Sequence, residues 1–150
     1  MKQVIKFKSF SQDYQAKACI VWCFDDRFTP LLTELINNLS GNIDLIKIAG
    51  GALGLTGRGG TKKGDDIDFI AGQVEKSIKF HETSLVVLML HKDCRAYKVL
   101  GLPSKSEDET ELLRDDLELA KSTLAEYLAR KGYYPDIKMY IADFKGLWEI

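Results

Sequence analysis

Two short polar segments carry the residue types that could do chemistry in this chain. The first is Cys23-Phe24-Asp25-Asp26-Arg27, which places a thiol, a carboxylate and a guanidinium at every second position. Side chains two residues apart share one face of an extended backbone, so these three groups can converge on one point. The second is His91-Lys92-Asp93-Cys94, which offers an imidazole and another thiol. We therefore expect a reactive site built from both segments.

Cys23, His91 and Cys94 together have the composition of a zinc site. Two thiolates and one imidazole are a normal ligand set for zinc, and three protein ligands leave a fourth position for water or substrate, as a catalytic site requires. The His-x-x-Cys spacing lets both residues reach one ion from a tight turn. Such pairs also occur by chance, so the alternative is that they are buried structural residues.

The two polar segments each follow an apolar run, residues 18–22 and 85–90, that has no polar alternation. Runs of this kind predict strands buried on both faces of a parallel sheet. The carboxyl ends of parallel strands form the edge where ligands bind in open α/β sheets. With further strands predicted over residues 43–48 and 137–142, we expect an α/β fold with a central, mostly parallel sheet of about four or five strands flanked by helices.

Three helices are expected between these strands. Residues 31–39 and 65–80 show apolar residues at helical spacing, and the second segment has acidic residues in its first turn. Ser106 and Glu109 have the spacing of a capping box, which predicts a long helix that begins there. Gly132 is well placed to end it. Its apolar stripe consists of Leu113, Leu117, Ala120, Leu124 and Leu128.

Two segments show no regular pattern. Residues 1–17 are polar and mixed, and we expect a short helix or an arm around residues 10–16. Residues 50–64 carry seven of the twelve glycines, so this loop needs unusual dihedrals or a close approach of its backbone to another segment. Cys19, within the first predicted strand, is interpreted as a small buried hydrophobic residue.

The bulk composition favours a single domain over residues 1–150, since 150 residues that are 45% hydrophobic can form one packed core. With 21 basic and 22 acidic residues, the net charge of -1 gives no overall field toward nucleic acid or a membrane surface. We find no signal-peptide pattern and no segment of membrane-spanning length. Three cysteines do not suit a disulfide framework. We therefore expect a cytoplasmic protein that acts on a small molecule.

Taken together, the motifs resemble those of the β-class carbonic anhydrases, in particular the compact branch that lacks a long N-terminal arm. Three motifs in a fixed order carry the resemblance: Cys23-x-Asp25-x-Arg27, Ile48-Ala49-Gly50-Gly51 and His91-x-x-Cys94. The resemblance implies one zinc ion per chain, bound by Cys23, His91 and Cys94. It also implies a catalytic dyad of Asp25 and Arg27, a parallel sheet flanked by helices, and a homodimer or a higher even oligomer.

The implied activity is the reversible hydration of carbon dioxide to bicarbonate by zinc-bound hydroxide. Two thiolates cancel the charge of a zinc ion, so we infer that its water needs help from a carboxylate. Asp25 is the candidate, and Arg27 would hold it ionised and oriented through two parallel hydrogen bonds. If Arg27 swings away, Asp25 can occupy the open zinc position, which is the closed state of the family. The alternatives are a zinc-binding protein without turnover and a related hydrolase acting on carbonyl sulfide or carbon disulfide.

A substrate pocket is expected beside these motifs, lined mainly by small and apolar residues. Phe28 and Tyr97 equally suit the core or an interface. The candidate lining residues are Phe28, Gly50, Gly51, Ala52, Leu53, Arg95 and Tyr97.

Three departures from the family pattern lie near the motifs, at Arg95, at Lys47-Ile48 and at Asp26, and the role of Asp93 is a separate question. Arg95 stands where the family usually has glycine, and this large cation could block the pocket or attract bicarbonate. Lys47-Ile48 stands where the family usually has Arg-Asn, which predicts a local change rather than the loss of zinc. Asp26 is expected to point away from the site into solvent. Asp93 either orients a ligand or caps the next turn, and the sequence leaves both alternatives open.

Overall fold

Four parallel strands and one antiparallel strand form the central sheet. The structure, a computed structural model, describes residues 1–58, 65–103 and 107–150, and only the backbone of residues 65 and 107. The strand order is β2-β1-β3-β4-β5, and only β5 runs antiparallel to its neighbour. The predicted mostly parallel α/β sheet is therefore confirmed. The strands are β1 (Ala16–Cys23), β2 (Asn42–Ile48), β3 (Leu85–His91), β4 (Asp136–Asp143) and β5 (Gly146–Glu149).

Helices cover both faces of the sheet. They are α1 (Thr29–Leu39), α2 (Asp65–His81), α3 (Arg95–Val99) and α4 (Glu107–Ala129), with 3-10 helices at Asp26–Phe28 and Gly51–Thr56. The predicted helix segments 31–39 and 65–80 and the long helix are confirmed, although Ser106 of the capping box lies outside the described residues. Among the helices described, none has the length and apolar character needed to cross a membrane.

One predicted helix is absent from the described residues, and one strand was not predicted. Residues 1–15 contain no helix, so the arm alternative holds and the short helix is wrong. The strand β5 was not predicted. It follows a tight turn in which Asp143 Oδ1 accepts hydrogen bonds from the backbone N–H groups of Lys145, at 2.8 Å, and Gly146, at 2.9 Å.

The sheet separates two apolar cores. One face packs against α2, α4 and the 3-10 helix Gly51–Thr56, and the other packs against α1. The residues of β1 from Ala18 to Trp22 are all 0% exposed, which confirms that this strand is buried on both faces. The five predicted stripe residues of α4 are also fully buried, and each buried leucine contributes about 1.5–3 kcal/mol to stability.

Gly51 allows the glycine-rich segment to pack against the strand ends that carry the polar motifs. Its φ of +59° lies in the left-handed region, and a Cβ at this position would lie 2.7 Å from Met89 O and 2.9 Å from Cys23 N. Only a hydrogen atom fits between these backbone groups. The predicted close backbone approach is therefore present at Gly51, whereas residues 59–64 of the predicted loop lie outside the described residues.

We expect Gly51→Ala to destabilise the protein by about 2–5 kcal/mol, because it combines left-handed strain with a clash against the backbone of β1 and β3. Gly57→Ala is the matched control. Gly57 has a φ of +74°, but among the described residues its added Cβ would meet only Ile67 Cδ1, at 3.6 Å. Urea unfolding should give a loss of about 1–2 kcal/mol for this control. Equal losses in the two variants would contradict the close approach.

A cluster of polar side chains around Asp44 joins the N-terminal segment to β2 and α2. Tyr14 Oη donates to Asp44 Oδ1 at 2.8 Å, Ser77 Oγ donates to Asp44 Oδ2 at 2.6 Å, and His81 Nδ1 lies 2.8 Å from Asp44 Oδ2. Burial alone would raise the pKa of Asp44, but the hydrogen bonds from Ser77, His81 and Tyr14 outweigh it and lower that pKa. The ionised carboxylate therefore stabilises the folded chain.

We expect Asp44→Asn to lower the free energy of unfolding at pH 7 by about 1–3 kcal/mol, the usual contribution of hydrogen bonds to a charged group. Because the folded pKa lies below that of the unfolded chain, this stability is present above about pH 4 and is lost as the pH falls through the folded pKa. Unfolding curves at several pH values should show the difference from wild type shrinking in acid. The exposed control Asp13→Asn should differ by less than about 0.5 kcal/mol throughout. A difference for Asp44→Asn that does not change with pH would contradict the assignment.

Candidate metal centre

Three metal-ligating side chains meet where β1 and β3 end. Ligand atoms of Cys23, His91 and Cys94 all lie within 4.8 Å of one another, and all three residues are buried. Cys23 is the last residue of β1, His91 is the last residue of β3, and Cys94 directly precedes α3. The structure thus brings together the three residues that the sequence offered as a ligand set.

The hydrogen bonds of His91 are those of a metal ligand. Its Nδ1 lies 2.9 Å from the backbone oxygen of Lys92, so the proton belongs on Nδ1 and the lone pair on Nε2. That Nε2 atom is buried and has no hydrogen-bond partner among the described residues. Since buried polar atoms are nearly always paired, an unpaired imidazole nitrogen beside two thiols fits a metal ion such as zinc.

A hydrogen bond links the two thiols of the group. A hydrogen bond from Cys94 lowers the pKa of Cys23 to about 4, against the opposing effect of burial. The same hydrogen bond, together with burial, raises the pKa of Cys94. Cys23 is therefore ready to bind as a thiolate, and metal binding would release the proton of Cys94.

Arg27 binds the carboxylate of Asp25 through side-chain hydrogen bonds beside this cluster. Its Nη2 donates to Asp25 Oδ2 at 2.7 Å and its Nε donates to Asp25 Oδ1 at 3.0 Å. These hydrogen bonds lower the pKa of Asp25, although burial opposes the shift. Asp25 Oδ2 lies 4.0 Å from His91 Nε2, so the carboxylate stands next to the ligand set.

The backbone of the first polar segment differs from the expected one. We predicted an extended strand through Arg27, but β1 ends at Cys23 and residues Asp26–Phe28 form a 3-10 helix. Asp25 caps this helix by accepting the backbone N–H of Arg27 at 3.1 Å. Asp26 is exposed as predicted, although the reason is the tight helix rather than strand alternation.

Asp93, whose role the sequence left open, contacts the dyad. Its Oδ2 accepts from Arg27 Nη1 at 2.9 Å, its backbone oxygen accepts from Arg27 Nη2 at 3.1 Å, and Lys98 Nζ also pairs with its carboxylate. Its backbone N–H donates to Glu109 Oε1 at 2.7 Å. From the sequence, Glu109 was expected only as part of a capping box, and Lys98 was not expected near the site. The sequence contained one signal that Glu109 is buried, because it lies one turn before Leu113 on the apolar stripe of α4.

A cavity of about 460 Å³ opens onto Cys23, Asp25 and Cys94. Of the residues predicted to line a pocket, Gly50, Leu53 and Arg95 line this cavity. Arg95 also lines an adjoining charged cavity of about 640 Å³ together with Asp25, Arg27, Asp93, Lys98 and Val99.

The other predicted pocket residues are buried and do not line these two cavities. The ring of Phe28 packs against that of His91 with centroids 4.7 Å apart, and Tyr97 Oη donates to Asp116 Oδ2 at 2.8 Å. Gly51 and Ala52 belong to the buried 3-10 helix described above. Lys47, which departs from the family pattern, is exposed on β2.

No protein-family model and no curated protein matches this sequence. Among solved structures, β-carbonic anhydrase isoform I from Trichomonas vaginalis aligns with a TM-score of 0.60 and 16% identity over 97% of this chain and 87% of that one. Carbonic anhydrase from Streptococcus mutans aligns with a TM-score of 0.53 and 19% identity, also over 97% of this chain and 87% of that one. A tetrameric β-carbonic anhydrase from Sordaria macrospora aligns with a TM-score of 0.57 and 11% identity over 91% of this chain and 81% of that one. This chain therefore has the β-carbonic anhydrase fold.

Proposed function

We propose that this protein is a zinc-dependent carbonic anhydrase that converts carbon dioxide and water reversibly to bicarbonate and a proton. One observation carries the proposal: a buried Cys-His-Cys group, with an unpaired imidazole nitrogen, lies 4.0 Å from a carboxylate that Arg27 grips. A ligand set alone would suit a structural metal. The adjacent oriented carboxylate and the cavity that reaches both favour catalysis.

Cys23, His91 and Cys94 would hold one zinc ion per chain. When bound, zinc supplies a Lewis acid that makes a coordinated water more acidic. The hydrogen bond from His91 Nδ1 to the backbone of Lys92 keeps Nε2 directed as a ligand. Phe28 packs against the imidazole and restricts its rotation.

Asp25 is the proton-accepting residue of the proposed reaction. Arg27 keeps its pKa low, so the group is a carboxylate at neutral pH and can accept a hydrogen bond from the reacting water. Its side chain is 18% exposed, which leaves a route for the proton to solvent through the cavity. Arg27 positions this carboxylate rather than donating a proton, because a guanidinium stays charged.

The cavity suits a small neutral substrate with a charged product. Apolar side chains of Leu53, Ala96, Val99 and Leu100 form much of its lining, which fits carbon dioxide. Arg95 lines both cavities and is exposed, so it is placed to meet bicarbonate at the mouth.

We also propose a homodimer or higher even oligomer in the cytoplasm. Large apolar side chains are exposed on the N-terminal arm, on the edge strand β2 and on α2, and association with a second copy would remove them from water. They include Val4, Ile5, Phe7, Phe10, Leu45, Phe69 and Phe80. The three cysteines are all free, as is usual in a reducing compartment.

Zinc content tests the ligand assignment. We expect wild-type protein purified under reducing conditions to hold about one zinc per chain by mass spectrometry of the metal, and Cys23→Ala to lose it, since zinc sites need their full ligand set. Cys19→Ala is the matched control. Cys19 lies on the same strand, is 0% exposed, and has a pKa raised to about 12 by burial. Zinc-free wild type, or equal zinc in the two variants, would contradict the site.

Stopped-flow carbon dioxide hydration tests the activity. We expect Asp25→Asn to lower kcat by about 10²–10⁴-fold, the usual contribution of a proton-transfer residue, with zinc content unchanged. Asp26→Asn, an exposed carboxylate one residue away, should retain wild-type rates. Background rates in zinc-loaded wild type would reject carbonic anhydrase activity. Assays with carbonyl sulfide and carbon disulfide would then separate a related hydrolase from a zinc-binding protein without turnover.

A further inference from the structure

We propose that Asp93 is a positioning residue for the dyad, which holds Arg27 in the orientation that grips Asp25, and that Glu109 in turn fixes Asp93. The inference deepens the proposed function, because it rests on that proposal for the role of Asp25. This role differs from both alternatives that the sequence left open for Asp93, which were to orient a ligand or to cap the next turn.

Arg27 divides its donors between two carboxylates. Its Nε and Nη2 bind Asp25, while its Nη1 donates to Asp93 Oδ2 at 2.9 Å and its Nη2 also donates to the backbone oxygen of Asp93 at 3.1 Å. The side chain of Arg27 is 46% exposed, whereas that of Asp93 is only 9% exposed. A pair between Asp25 and a half-exposed guanidinium would be weakly ordered by itself. The buried contact with Asp93 supplies the missing constraint.

Asp93 is itself held from two sides. Its φ of +60° is uncommon for a residue with a side chain, so surrounding contacts must maintain it. The backbone N–H of Asp93 donates to Glu109 Oε1 at 2.7 Å, and Glu109 is 1% exposed on α4. Lys98 Nζ pairs with the other carboxylate oxygen of Asp93. The turn is thereby fixed to a buried helix on one side and to α3 on the other.

In the proposed reaction, Asp93 keeps Arg27 and Asp25 oriented and does not itself contact the substrate. Without Asp93, Arg27 would exchange between Asp25 and solvent, and Asp25 would spend less time oriented toward the reacting water. We therefore expect kcat to fall while KM changes little, because nothing that binds carbon dioxide is removed. A purely structural role in the turn would instead reduce stability and zinc content together.

Two substitutions of Asp93 separate these roles. Asp93→Gly removes the carboxylate, and glycine adopts a φ of +60° without strain, so the turn keeps its backbone. Asp93→Asn also tolerates this φ and keeps an acceptor oxygen for Arg27 but loses the charge. Asp26→Asn is the control, since Asp26 is the neighbouring carboxylate and its Oδ1 accepts from Thr29 Oγ1 at 2.9 Å.

The readout is the Arg27 Nε–H resonance in nitrogen-15 NMR of the zinc-bound protein, measured as its exchange rate with water. We expect exchange to be about tenfold faster or more in Asp93→Gly, which corresponds to the loss of a charge-assisted hydrogen bond, and intermediate in Asp93→Asn. The Asp26→Asn control should match wild type. In the same samples, kcat should fall about 10- to 100-fold in Asp93→Gly, with zinc content retained and partial rescue in Asp93→Asn.

Unchanged Arg27 exchange in Asp93→Gly would overturn the proposal. If that variant does not fold, Asp93→Asn decides, because exchange at the wild-type rate there would also overturn it. Loss of zinc with unchanged Arg27 exchange would assign Asp93 a structural role. If wild type shows no carbon dioxide turnover, the proposed function fails while the Arg27 exchange rates still decide whether Asp93 positions the guanidinium.

Discussion

The parallel pairing of β1 with β3 is the constraint on which the rest of the site depends. Both strands end at the same edge of the sheet, so a thiol on one and an imidazole on the other become neighbours without a dedicated scaffold. The pairing is deep in the molecule, between two apolar cores, which makes the strand ends rigid. Gly51 closes this edge by lying against the backbone of both strands.

Around this rigid edge, charge is balanced by a short chain of ion pairs. Arg27 and Lys98 form three ion pairs with the carboxylates of Asp25 and Asp93, and Glu109 adds a third acidic group, which accepts a hydrogen bond from the backbone N–H of Asp93. Buried charges are stable only when paired, so each group depends on its neighbour. These contacts join the 3-10 helix after β1 to α3 and α4, and Tyr97 Oη of α3 makes a further polar contact with Asp116 on α4.

The sequence predicted the strands of the parallel sheet, the apolar stripe of α4 and the ligand set, because each follows from local periodicity or from residue type and spacing. It did not predict β5, whose short strand depends on the turn at Asp143. It also missed the contacts of Asp93, because its partners Arg27 and Glu109 are 66 and 16 residues away. The prediction for the backbone after Cys23 was also wrong, because alternation along a strand does not reveal a 3-10 helix.

The turn from His91 to Cys94 has a further consequence for how the chain tolerates changes in length. Within four residues it places two members of the candidate metal site and the residue that binds Arg27, and one of these residues, Asp93, already adopts a left-handed conformation. An insertion or deletion of a single residue there would shift Cys94 relative to His91 and withdraw Asp93 from Arg27 at the same time. This turn is therefore a unit of fixed length, because the candidate metal site and the contact of Asp93 with Arg27 both depend on it.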